Sequence, residues 1–344
     1  MRIGIVLPAQ PGVERLAARA EELGFTSFWV FDTPMVHGDP FVSLALCAAS
    51  THHIRLGIGV TSPALRSAPA AAAAVGSLNA LAPGRIVCGV GTGNTARRTL
   101  GMRPTTIAEL ESFTAALRDL TAGRETDYRE GHRSGRVRFL HVGSQVNTDA
   151  PVEFVVAVFG PKAAAVAGRL GAGVISYALH DPAAWSALGQ ARRTAGGTED
   201  ARSYLMTSLH VLADGEDRYG DAVKDAMGHV ALSALILAVE NPGVRAALPP
   251  DEAAAVERLL QRRGTTPNDP NRHQALYPGY LGRLSPEDRE LVVPSLVDRF
   301  GLVGTPDELA ARIGALGKSG VDELVIQPVV DPETEMAELA RLLG

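Results

Sequence analysis

The chain has 344 residues and a formal net charge of −5, with 33 Lys and Arg set against 38 Asp and Glu. That length exceeds a typical domain of roughly 100–200 residues, but α/β barrels of this size form single units, so one large core over residues 1–344 is expected. Charges of both signs are spread along the chain, which gives no electrostatic reason to expect nucleic acid or a membrane and points to a small-molecule partner.

At the N-terminus, MRIGIVLPAQPG is apolar only briefly before Pro8, too short for a signal sequence, and no run approaches the roughly 18–20 apolar residues of a membrane span. Short β-branched runs then alternate with helical stretches, the pattern of βα units around a parallel sheet. Strands are predicted at Ile3–Leu7, Ser27–Phe31, Arg55–Val60, Arg85–Val90, Val152–Val158, Gly173–Tyr177, Tyr204–Leu212 and Glu323–Gln327. Leu16, Ala20 and Leu23 fall at helical spacing before Gly24, and the same logic gives helices over Pro161–Leu170, ended by Gly171, and Pro306–Leu316, ended by Gly317. Thr305-Pro306-Asp307-Glu308 reads as an N-cap, a proline in the first turn and then acids. The alanine-rich Ala68–Ala74 reads as an ordinary helix.

Two segments interrupt the alternation, about 94–150 and 214–300. The first holds a helix over Thr106–Leu120 and an exposed hairpin or loop at Arg129–Arg138; the second is largely helical, most apolar over Val223–Val239. Both follow predicted strands, the fourth and the seventh, which places them at the C-terminal face of a (β/α)8 barrel, where such enzymes keep their active sites. Cys47 and Cys88 lie in apolar segments without metal-ligand or disulfide spacing, so no metal site is expected and a reduced, cytoplasmic setting fits.

CGVGTGN, residues 88–94, departs from the dinucleotide fingerprint. Its spacing is G-x-G-x-G, it follows the fourth strand, and Asn94 to Arg98 does not read as a packed helix. In a strand, Gly89, Gly91 and Gly93 share one side and expose a bare strip on which a flat ring could lie; for Gly89, relief of crowding inside the barrel is the better reading. A side chain at Gly91 is then expected to block the ring and spare the fold. Gly57 and Gly59 form a second such strip on the third strand.

Three blocks carry a family resemblance: FVSLALCAASTHHIRLGIGVTSPALRSAPAAAAAVGSLNALAPGRIVCGVGTGN, PVEFVVAVFGPKAAAVAGRLGAGVI and FGLVGTPDELAARIGALGKSGVDELVIQPV. The chain resembles the bacterial luciferase-like flavin and deazaflavin oxidoreductases, within them the branch related to methylenetetrahydromethanopterin reductase. The resemblance weakens across 214–300. It implies a TIM barrel holding coenzyme F420, or alternatively FMN, at its C-terminal rim. The ring then rests on a bulge at Gly59-Val60-Thr61, a place where family members often carry a non-prolyl cis peptide, and against Gly91, Thr92, Gly93 and Asn94. Thr61 and Ser62 are equally readable as turn chemistry.

The family's phosphate grip falls on Gly160, Pro161, Lys162 and Ala163, a helix N-terminus that favours anions in its own right, with Ser176 as a further candidate. Among acid/base positions Asp32 is retained, Thr33 stands where relatives often carry histidine, and Asn94 stands where deazaflavin sugar dehydrogenases carry glutamate. Val6 replaces a glutamate of the methanopterin reductases. Asp32, Thr33, Asn94 and His37 are therefore the catalytic candidates; His37 also reads as a solvated loop histidine. Arg66 has no assigned role, and His52 and His53 read as structural. The expected activity is hydride transfer between F420 and a small organic substrate by a homodimeric enzyme, with Val223–Val239 roofing the site or packing in a core. The alternatives are an FMN monooxygenase and a non-catalytic ligand-binding member.

Overall fold

The computed structural model describes residues 1–141, 143 and 145–343. Among them, eight parallel strands close into a barrel: β1 (Arg2–Leu7), β2 (Ser27–Val30), β3 (Arg55–Thr61), β4 (Ile86–Val90) and, beyond an antiparallel hairpin of β5 (Thr126–Glu130) and β6 (Arg133–Val137), β7 (Glu153–Ala157), β8 (Gly173–Tyr177) and β9 (Ser203–Thr207). β10 (Leu209–Val211) and β11 (Leu302–Gly304) pair outside the barrel, and β12 (Glu323–Ile326) closes it between β9 and β1. The predicted strands are those of the barrel, with one correction. Tyr204–Leu212 is not one strand: the chain leaves the barrel at Ser208 so that Leu209 can pair with Leu302.

The helices are α1 (Val13–Glu22), α2 (Pro40–Ser50), α3 (Ala68–Leu81), α4 (Asn94–Arg98), α5 (Ile107–Thr121), α6 (Pro161–Arg169), α7 (Pro182–Thr194), α8 (Asp221–Glu240), α9 (Pro242–Ala246), α10 (Pro250–Arg262), α11 (Arg272–Leu276), α12 (Pro294–Phe300), α13 (Pro306–Lys318) and α14 (Pro332–Leu343). α1, α2, α3, α5, α6, α7 and α13 follow one another around the barrel, and α14 packs on α1. Local chemistry explains their ends. Thr106 with Glu109, and Thr305 with Glu308, form capping boxes in which each side chain satisfies a free amide of the first turn. Gly24 and Gly171 adopt the left-handed conformation that stops α1 and α6. α13 does not stop at Gly317: it runs to Lys318, and the left-handed turn falls at Gly320, φ +103°.

Inside the barrel, Val6, Trp29, Val87, Val155, Ile175, Tyr204, Met206 and Val325 form a filled core. Trp29 is fully buried, its ring edge-on to Tyr204 at 5.1 Å and its Nε1 donating to Ser27 Oγ at 2.7 Å. At the N-terminal end Ser27 donates to the buried carboxylate of Glu323, and Arg55 donates to Tyr204 Oη at 2.6 Å. This end is tied together by polar bonds and reads as stability.

The segment 214–300 builds a second core, in which Met227, Ala231 and Leu235 of α8 meet Leu259 of α10, Leu296 of α12 and Val303. α8 corrects the expectation of no span-length apolar run, for it has 20 residues and a mean hydropathy of 1.5. However, 72% of that stretch is buried within the protein, as in a core helix.

A methyl group at Gly57 would land within the Trp29 ring. Gly57→Ala is expected to destabilise the protein by about 1–3 kcal/mol, the usual cost of overpacking a core, read from urea unfolding followed by tryptophan fluorescence. An unchanged midpoint would show that the indole can move aside.

Candidate active site

Just past β2, Asp32 is buried at the C-terminal rim. Arg66 Nη1 donates to its Oδ2 at 3.0 Å, while the other end of the guanidinium binds Asp39, whose Oδ1 in turn caps α2 by accepting from Phe41 N at 2.8 Å. The guanidinium also stacks 4.5 Å over the Phe41 ring. Arg66, left without a role by the sequence, is therefore the counter-ion of Asp32. Burial pushes the Asp32 carboxyl above its usual range and the Arg66 charge opposes that rise. Thr33 Oγ1 lies 2.6 Å from His37 Nδ1, and the imidazole stacks on Phe31 at 6.2 Å. His37 is half-buried rather than a solvated loop residue, and burial lowers its pKa to about 4.

At the end of β3 the pairing with β4 slips between Ile58 and Thr61, so Gly59-Val60-Thr61 is a bulge, and the Gly59–Val60 peptide is cis. Thr61 is fully buried with its hydroxyl turned to the Asp32 carboxyl, where it helps Arg66 oppose the rise that burial causes.

The glycine strips are not bare. A Cβ at Gly59 would meet Met206 Cε at 2.6 Å, at Gly89 the Ile58 carbonyl at 2.5 Å, and at Gly91 Val60 Cγ2 at 2.9 Å and Ala157 Cβ at 3.1 Å. These glycines admit neighbouring side chains, so a residue larger than glycine at position 91 would strain the barrel before it met any ligand. Asn94 opens a short helix, α4, through Gly93 in the left-handed conformation, which corrects the expectation that no helix begins there. Thr92, half-buried, gives its carbonyl to Thr105 N at 2.9 Å.

Asn94 Oδ1 accepts from Arg98 Nε at 2.8 Å. Arg98 in turn pairs with Glu240 at 2.7 Å, and Arg272 reaches the same buried carboxylate at 3.1 Å. The end of β4 is thus clamped to the end of α8, a link the sequence did not signal. Gly160, Pro161 and Lys162 form the open start of α6, with no capping side chain and Ala163 tucked beneath. Ser176 faces away from the barrel interior, with its hydroxyl donating to the Val158 carbonyl at 2.7 Å. His52 and His53 sit in an exposed turn whose amides hold Glu21.

The barrel mouth is covered by Tyr280 and Leu281, which join the interior cluster around Trp29 and Phe31. Tyr280 Oη bonds Thr95 Oγ1 at 3.0 Å, and the Leu281 carbonyl accepts from Gln327 Nε2 at 2.6 Å. α8, expected as the roof, contributes the Ser233 side chain facing Tyr177 and Tyr280, while its large apolar residues serve the second core. An aromatic between glycines, Pro278-Gly279-Tyr280-Leu281-Gly282, was the available sequence signal for this cover.

A closed (β/α)8 barrel with a bulged third strand and a polar rim defines an α/β-barrel protein, a class whose sites lie at the C-terminal face of the strands. The chain belongs to the luciferase-like monooxygenase family, whose model matches residues 1–323. It is 28% identical to 5,10-methylenetetrahydromethanopterin reductase of Methanolobus tindarius, over 100% of this chain and 98% of that protein. Among solved structures, an F420-dependent secondary alcohol dehydrogenase in complex with an F420–acetone adduct has a TM-score of 0.70 at 17% identity, over 99% of this chain and 98% of that one. The oxygenating constituent of 3,6-diketocamphane monooxygenase from Pseudomonas putida, in complex with FMN, has a TM-score of 0.66 at 16% identity, over 100% and 96%. At those identities the two structures show the shared fold.

Three histidines have pKa values depressed by burial: His37 and His180 to about 4, and His229 to about 3. The unfolded chain binds these protons near pH 6.5 and the folded one does not, so stability is fully present above that pH and is lost as pH falls toward 4. The Tm is expected to fall by several degrees between pH 7 and pH 5, and His37→Gln to flatten part of that slope, as read by scanning calorimetry. A flat Tm over this range would contradict the burial of these rings.

Proposed function

We propose that the chain is an oxidoreductase using coenzyme F420, with hydride passing between the deazaflavin and a small organic molecule. The observation that carries this reading is the full-length likeness to a methylenetetrahydromethanopterin reductase, joined to a bulged β3 whose buried Thr61 stands beside the Asp32 carboxyl. A strand bulge that ends in a buried hydroxyl and carboxyl fits the polar edge of a ring lying over Gly59, Val60 and Thr61, bounded by Gly91, Thr92, Gly93 and Asn94. The exposed start of α6, with the amides of Lys162 and Ala163, the Lys162 charge, and Gly160, Pro161 and Ser176 around it, fits the phosphate of the tail.

When bound, the deazaflavin supplies two-electron hydride chemistry. Asp32 holds or accepts a proton beside the ring, its carboxyl poised between burial and Arg66. Thr33 fixes the His37 ring, which stays neutral near pH 7 and acts as a hydrogen-bonding group rather than a cation. Asn94, tied to Arg98, orients without supplying a proton. The Tyr280–Leu281 cover excludes water from this face.

Fluorescence titration of the purified protein with F420 and with FMN tests the reading. F420 is expected to bind and FMN not to, and Lys162→Ala is expected to weaken F420 roughly tenfold, equivalent to about 1.4 kcal/mol. Tight FMN binding without F420 would replace this reading with the monooxygenase one, and binding of neither would leave a non-catalytic member.

The protein is further proposed to be a homodimer through α2 and α3. Neither helix contains a charged residue, the two pack side by side, and their outer faces expose Val42 (65%), Leu46 (51%) and Leu81 (54%) among alanines. An uncharged apolar face of this kind suits a second copy of itself. Sedimentation is expected to give a dimer, and Leu46→Glu a folded monomer; a monomeric wild type would end the proposal.

A further inference from the structure

Asp39 ends the loop between β2 and α2, and its two carboxylate oxygens have different partners. Oδ1 caps α2, accepting from Phe41 N at 2.8 Å and Val42 N at 3.3 Å, while Oδ2 accepts from Arg66 Nη2. The other arm of the same guanidinium donates to Asp32 Oδ2 at 3.0 Å. One cation is thus divided between a side chain that is 45% exposed, Asp39, and one that is 3% exposed, Asp32. Arg66 is held there by more than its two acids. Its guanidinium stacks over the Phe41 ring, and the next residue, Ser67, caps α3 by accepting from Ala70 N at 3.4 Å. Among the described residues, the other groups around Asp32 bring no charge. The Thr61 hydroxyl is turned to it, burial pushes the Cys88 thiol on β4 up so that it stays protonated, and His37 on the same loop is neutral near pH 7 because burial lowers its pKa to about 4.

Burial penalises an ionised carboxylate, and a nearby cation offsets that penalty best when its charge is not shared. Asp39 takes one arm of the Arg66 fork and sets a second negative charge on its far side. We propose that Asp39 is a positioning residue for Asp32: by sharing Arg66 and adding its own charge, it keeps the buried carboxyl ready to hold a proton. The proposal rests on the reading of Asp32 as the proton-holding group of the site, and it places control of that group on a residue open to solvent. A neutral residue at position 39 leaves Arg66 beside Asp32, retained by the Phe41 stack and the capped start of α3, with its charge undivided. Asp32 then gives up its proton more readily, since a like charge has been removed and the opposite one is wholly its own.

The capping role of Asp39 and its charge separate by substitution. Asparagine and serine cap a helix about as well as aspartate and carry no charge, whereas glutamate keeps the charge. The Asp32 carboxyl is titrated by 13C NMR of aspartate-labelled full-length protein without cofactor, its signal assigned by its loss in Asp32→Asn. Asp39→Asn and Asp39→Ser are expected to keep the Tm within roughly 2 °C, because the cap survives, and to lower the proton affinity of Asp32 by roughly threefold or more. Asp39→Glu should restore the wild-type titration, and Arg66→Gln should raise the proton affinity of Asp32. An unchanged or raised midpoint in either neutral variant overturns the proposal and leaves Asp39 as the cap of α2 alone. A fall of the same size in Asp39→Glu overturns it as well, since the charge would then not be the cause, and so does an Asp32 midpoint that Arg66→Gln does not raise. F420 affinity of the wild type, measured by fluorescence quenching, is read separately: if F420 does not bind, the cofactor reading falls, while the titration still decides the role of Asp39.

Discussion

The rest of the structure depends on Trp29 lying flat inside the barrel over a strand that has no side chain to resist it. Its indole occupies the space that any residue larger than glycine at position 57 would need, and it meets Tyr204 across the barrel. Truncating a buried aromatic of this size costs about 3–5 kcal/mol, so this plug is a large share of a typical domain's net stability. Its functional consequence is geometric. With the interior filled up to Met206 and Val60, a ligand can only lie above that layer, among residues that follow the strands rather than within them.

The rim residues are held by bonds that run sideways around the mouth. Arg66 joins the end of β2 to the cap of α2 through Asp32 and Asp39, and Arg98 joins the end of β4 to the last turn of α8 through Glu240. Glu240 is 5% exposed and receives two arginines, so loss of one leaves it partly matched rather than abandoned in the interior. Asn94 fits this arrangement because its amide oxygen accepts from Arg98 without adding a second negative charge next to Glu240. A carboxylate at position 94 would compete for the guanidinium that clamps the helical segment to the barrel.

What was legible in the sequence was what short-range periodicity encodes. β-branched runs gave the barrel strands, and Thr305-Pro306-Asp307-Glu308 gave the start of α13 because capping is a matter of neighbours within four residues. The glycine strips were misread as open because their neighbours come from other strands: Val60 fills the space beside Gly91, and Trp29 that beside Gly57. The same limit hid the partners of the site. Asp32 and Arg66 are 34 residues apart, Arg98 and Glu240 are 142 apart, and no local pattern joins either pair. Tyr280 and Leu281 lie within 214–300, where the family resemblance weakens, and their place over the mouth depends on contacts with strands far away in the sequence.

The mouth that results is electrically asymmetric. Asp32 and Arg66 stand on the side of β2 and β3, while β8 and β12 contribute neutral groups. Asp32 is the carboxyl of the mouth that burial already acts on. Its carboxyl is already raised by burial, and Arg66, which resists the rise, is shared with Asp39. A flat molecule laid over Thr61 would strip remaining water from Asp32 without bringing a new cation, and desolvation acts against the charged form. Such a ligand would therefore move Asp32 toward protonation, the direction that its proposed role as a proton holder calls for.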